Sequence, residues 1–100
     1  MGFNRYTRTG VTASTAVVTC PADTVMIVIG TTIANTSGNL TSVNILAGGA
    51  NLLKSVEVGE GSAIVPIGSG QKVVLVTGDS LVVEATDAVD VHVSVLEQTI

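Results

Sequence analysis

From residue 11 onward, apolar β-branched segments alternate with short clusters of Gly, Asn, Asp and Ser at intervals of roughly ten residues. That rhythm predicts strands near 12–20, 24–36, 41–47, 52–58, 62–67, 71–77, 80–86 and 89–97. The separators are turn formers: Pro21-Ala22-Asp23, Ser37-Gly38-Asn39, Gly48-Gly49-Ala50-Asn51, Gly59-Glu60-Gly61 and Gly68-Ser69-Gly70. No segment carries a helical period, and the χ1 restriction of β-branched residues disfavours helix. The expected fold is all-β: a single antiparallel β-sandwich or small jelly roll of about eight short strands spanning residues 11–100, preceded by an extended N-terminal arm at 1–10.

Two strands carry the most detail. Val89, Val91, Val93 and Val95 alternate with Asp90, His92 and Ser94, so one face is core and the other meets water. Pro66 cannot donate to a ladder and places its strand at a sheet edge.

Elsewhere the alternation breaks down. Gly78-Asp79 fits a two-residue hairpin turn, which pairs Val76 with Leu81, Leu75 with Val82 and Val74 with Val83. Val74, Val76, Leu81, Val83 and Ala85 then form the core side, leaving Val73, Leu75 and Val82 on the opposite face. The run Val25–Ile29 is apolar on both faces as well. A two-layer domain covers one face of each sheet, so such strands need a second cover. Another subunit supplies it most economically, which makes Val73, Leu75 and Val82 candidate subunit-interface residues. Loops or the arm folding over that face within one chain is the alternative.

Composition sharpens this picture. Val (18), Thr (13) and Ile (7) fill more than a third of the 100 positions, while charged residues supply 12%, against about 25% in an average domain. High hydrophobicity excludes disorder. The longest apolar run, Val25–Ile29, is five residues, far short of the roughly 20 a membrane-spanning helix needs, and no membrane partner is expected.

Charge is unevenly allocated. Arg5 and Arg8 lie in the first ten positions, and the rest of the chain sets Lys54 and Lys72 against eight carboxylates. That body has no basic patch and no stacking aromatic, so nucleic acid is not an expected partner. Both aromatics, Phe3 and Tyr6, also sit in the arm. The arm residues Phe3, Arg5, Tyr6 and Arg8 are therefore candidate partner-binding residues, a cationic, aromatic clasp for a neighbouring acidic surface. A frayed terminus with solvated arginines is the plainer reading.

Chemistry for catalysis is sparse. Cys20 is the only cysteine and His92 the only histidine. Asp87, Asp90, His92 and Glu97 have metal-ligand side chains, but two ligands on one strand face do not make a site, and a solvated face explains them better. Cys20, at the end of an apolar strand, reads as a buried structural thiol. Gly68-Ser69-Gly70-Gln71-Lys72 lacks both the spacing of a phosphate loop and the following helix, and reads as a turn. Glu57 and Glu60 flank a turn with no apolar pocket to separate their pKa values. No catalytic, metal-binding or cofactor-binding residue is expected, and no cofactor. The first ten residues lack the apolar stretch of a secretory signal, so the chain is expected to be made and kept in a reducing cytoplasm.

The C-terminal third carries a resemblance. Gly70-Gln71-Lys72-Val73-Val74-Leu75, Gly78-Asp79-Ser80-Leu81 and Val91 through Glu97, with Ile29–Thr36 closing on Ala34-Asn35-Thr36, resemble small virion structural proteins of tailed bacteriophages. The resemblance covers about half the chain, in turn-and-strand signatures, and departs at residues 47–51, where the turn is terse. It implies a non-enzymatic β-sandwich subunit on the capsid surface of the virion, a head decoration (cement) protein assembled in the host cytoplasm. Its implied partners are itself, commonly as a trimer, and the major capsid protein. A tail, collar or fibre-base component is the nearest alternative. A carbohydrate-binding jelly-roll module is the alternative from another class, although no aromatic follows Tyr6 to act as a sugar platform.

Overall fold

A computed structural model describes residues 2–67 and 72–100. Among the described residues, nine strands follow one another: β1 (Gly2–Val11), β2 (Thr15–Thr19), β3 (Thr24–Asn35), β4 (Thr41–Ala47), β5 (Ala50–Val58), β6 (Ala63–Ile67), β7 (Val73–Leu75), β8 (Ser80–Ala85) and β9 (Val89–Thr99). They form two antiparallel sheets packed as a β-sandwich. The first sheet runs β1-β9-β3-β6, with β7 pairing the other end of the same β3 edge, and the second runs β2-β8-β4-β5. The turn expected at Gly68-Ser69-Gly70, and Gln71 after it, lie outside the described residues.

Period-two patterning fills the space between the sheets. From the first come Met26, Val28, Ile33, Ile67, Leu75, Val89, Val91, Val93 and Val95; from the second, Val17, Val18, Val43, Ile45, Val58, Leu81, Val83 and Ala85. In β3 the phase of burial changes midway. Met26 and Val28 point inward, then Thr31, Ile33 and Asn35 do, because a register shift between Val28 and Gly30 inserts an extra residue opposite β9. Pro66 lies on β6, which ends its sheet, as its missing N–H requires.

Turns follow their residues. Gly48 and Gly49 (φ 58° and 84°) close the β4–β5 hairpin between paired Ala47 and Ala50, the left-handed pair that a two-residue turn of this hand needs. Asn35, buried at the end of β3, organises the next loop. Its Nδ2 donates to the carbonyls of Asn39 (2.7 Å) and Val58 (3.0 Å), and its Oδ1 accepts from the Ser37 N–H (3.0 Å) and hydroxyl (2.7 Å).

Two expectations are corrected. Residues 2–11 are not a free arm: β1 is hydrogen-bonded along β9 in the register Phe3 to Leu96, Arg5 to Ser94 and Thr7 to His92. It is a ninth strand. Second, β7 and β8 are not a hairpin. β7 pairs with β3 (Ile27 to Val74, Met26 to Leu75), whereas β8 pairs with β2 and β4 in the other sheet. The Gly78-Asp79 turn therefore crosses between sheets, and the inward sides of β7 and β8 face each other across the core. That inverts the expected parity of β7: Leu75 is fully buried, whereas Val74 and Val76 point outward.

Candidate interaction surface

Residues paired across adjacent strands share a face, so the register assigns the outer surface of the first sheet directly. Phe3 lies opposite Leu96, Leu96 opposite Ile27, and Ile27 opposite Val74. One apolar row thus crosses β1, β9, β3 and β7, built from residues far apart in sequence. Val25 and Ile29 extend it along β3, and Val76 lies just beyond β7. Phe3 is 80% exposed, Val74 57% and Val76 52%, while Val25, Ile27, Ile29 and Leu96 are half-buried by their neighbours in the sheet. Beside the row, Phe3, Arg5, Ile29 and Ser94 border a shallow depression.

Farther along the same face the rows turn polar. Thr7, His92 and Thr32 form one, and Asp90 faces Ala34 in the next. Asp90 accepts a hydrogen bond from the Gly10 N–H (3.0 Å), which ties the end of β1 to β9. Among the described residues, no group of three or more His, Cys, Asp or Glu side chains could hold a metal ion.

The outer face of the second sheet contrasts with this. Ser42 lies opposite Glu57, and Asn44 opposite Glu84, with the Asn44 amide donating to the Glu84 carboxylate (3.1 Å). The half-buried Leu46 and Val82, with Ala16, interrupt it. The same sandwich thus presents an apolar face on one side and a polar, acidic one on the other.

The residues singled out from sequence separate onto different surfaces. Phe3 and Arg5 lie on the outer face of the first sheet. Tyr6 and Arg8 lie opposite buried Val93 and Val91, so they point to the inner side, at the margin where the second sheet no longer covers β1. Tyr6 is half-buried against the core, and its hydroxyl donates to the Glu97 carboxylate, which also accepts from the Asn4 amide (3.3 Å). That hydrogen bond, reinforced by burial and by the negative charge of Glu97, pushes the phenol pKa up to about 12. The Arg8 guanidinium donates to the Thr7 carbonyl next to it (3.2 Å).

The interface trio is likewise dispersed. Leu75 belongs to the core and reaches no surface, Val73 packs half-buried against that core, and Val82 lies on the outer face of the second sheet. Sequence reasoning put Val74 and Val76 inside and passed over Ile27 and Leu96 individually. The signals were the two-sided run Val25–Ile29 and the consecutive Val95-Leu96, where the alternation of β9 ends.

Cys20 is buried, with its Sγ donating to the Thr24 carbonyl (3.1 Å), and burial pushes its thiol pKa up. Its backbone clamps the crossing turn, accepting from the Gly78 N–H (3.0 Å) and donating to the Asp79 carbonyl (2.8 Å). No protein-family model matches the chain, and no curated protein or solved structure matches it either.

Proposed function

We propose that this chain is a non-enzymatic structural subunit of a bacteriophage particle, a decoration protein that binds in many copies to the outside of the head and reinforces the shell. The observation that carries the assembly part of this reading is the apolar row Phe3–Leu96–Ile27–Val74, a surface of the kind that marks interaction sites. The phage assignment rests on the resemblance of residues 29–36, 70–75, 78–81 and 91–97 to small virion proteins. Each copy would make modest contacts with several shell subunits, and linkage among those contacts would make release of any one unproductive.

The test is to add purified protein to heads stripped of it. Saturable binding at many sites over the shell, with a higher melting temperature of the heads, is the expected result. Binding confined to a few copies at one vertex places the chain in the tail or collar. Heads that neither bind it nor change in stability overturn the assignment.

A further inference from the structure

We infer that the outer face of the first sheet is a self-association surface, on which two copies of this chain pack face to face about a two-fold axis. The inference rests on the assembly reading above and names its partner as one second copy, a two-fold pair in place of the trimer that the resemblance implies. Among the described residues nothing covers the row Phe3–Leu96–Ile27–Val74, and Val25, Ile29 and Val76 widen it into a continuous patch.

The area suits a pair of copies. Four columns of strand about 4.8 Å apart and about ten residues at about 3.3 Å each give the whole outer face, its polar rows included, about 630 Å² in projection. The protruding Phe3, Val74 and Val76 add relief to it. A stable interface of ordinary size takes about 800 Å² from each partner, with a spread of about a quarter, so one such face meets the lower end of that range.

Charge selects the same partner. The chain carries eight carboxylates against four basic residues, so two copies repel through most of their surfaces. On the first sheet, however, Glu97 lies opposite Met26 and belongs to the inner side, leaving Asp90 as the one strand carboxylate pointing outward. Asp90 sits at the end of β9 remote from the apolar row, whereas the cationic Arg5 lies next to it, opposite Ser94. This face, with one outward strand carboxylate, is where a second acidic copy meets the least carboxylate repulsion. A two-fold pairing also closes the assembly, burying both apolar faces and leaving both acidic faces, with Glu57 and Glu84, in water.

Sedimentation equilibrium of the purified chain tests this directly. Wild type should sediment as a dimer of the 10.0 kDa chain. Val74→Glu and Phe3→Ser, both at exposed positions, should each raise the dimer Kd about tenfold or more. Glu57→Lys, on the opposite acidic face, should leave it unchanged. Circular dichroism checks that each variant folds, and if Val74→Glu does not, Phe3→Ser still reads the face. A monomeric or trimeric wild type overturns the inference, as does a dimer indifferent to Phe3→Ser. Dimerisation is measured on the free chain and shell attachment on stripped heads, so either reading can fail while the other stands.

Discussion

Tyr6 is the only tyrosine, and the chain has no tryptophan, so near-ultraviolet absorbance follows the ionisation of this one phenol. In the folded protein its hydroxyl donates to the Glu97 carboxylate, and with burial this raises its pKa from 10.0 to about 12. The native state therefore holds the phenolic proton more tightly than the unfolded chain does. The resulting stabilisation is fully present below about pH 10 and is lost as the pH rises through about 12. At about 1.36 kcal/mol per pKa unit the ceiling is about 2.7 kcal/mol, and solvent screening at the sheet margin brings it to about 1–2 kcal/mol. That energy acts locally. Apart from Val11 at its end, Tyr6 is the only β1 residue that is not exposed, so the strand depends on this anchor and on its ladder to β9. Tyr6→Phe should speed hydrogen exchange of the β1 amides about five- to thirtyfold, while core amides such as those of β3 change little. Spectrophotometric titration of the folded wild type should show the phenol ionising near 12. A phenol that titrates near pH 10 while the protein remains folded refutes the reasoning, as does β1 exchange unaffected by Tyr6→Phe.

Leu75→Ala should cost about 2–5 kcal/mol in denaturant unfolding, and Val76→Ala less than about 0.5 kcal/mol. The reverse ranking would restore the hairpin parity that the crossing turn excludes. Asn35→Ala removes four hydrogen bonds around the loop after β3 and should destabilise by about 2–3 kcal/mol, because the Val58 carbonyl loses its side-chain donor in a buried setting. Cys20 should resist alkylation in the native state and react only on unfolding, since its thiol is both buried and raised in pKa. Rapid stoichiometric labelling of folded protein would contradict that placement.

Strand positions were legible where one face is buried and the other wet. β4 falls at the expected 41–47, β8 within a residue of 80–86, and β9 starts at Val89 as its alternating valines indicate. β1 was not legible. Its sequence GFNRYTRTGV has little apolar alternation because both its faces are largely exposed, and it is held by backbone pairing that leaves no mark on side-chain pattern. The parity of β7 was hidden for the opposite reason: in Val73-Val74-Leu75-Val76 every position is apolar, so either phase fits. A Gly-Asp turn that crosses between sheets has the same residues as one that closes a hairpin. The surplus of aliphatic surface was therefore readable from composition and from Val25–Ile29, but its location was not. That required the pairing of β3 with both β7 and β9, which sets Val74, Ile27, Leu96 and Phe3 in line.

The pairing of Gly2 with Glu97 gives β1 and β9 a mechanical character. Tension applied between Gly2 and Thr99 enters at one end of the sheet and loads the β1–β9 ladder one rung at a time, so β1 peels like a zip rather than shearing as a unit. Anchored by those two points, the molecule would lengthen by a strand at low force while β2 to β9 kept their packing. A subunit gripped in this way has a built-in slack, able to absorb movement of whatever holds it before its core bears any load.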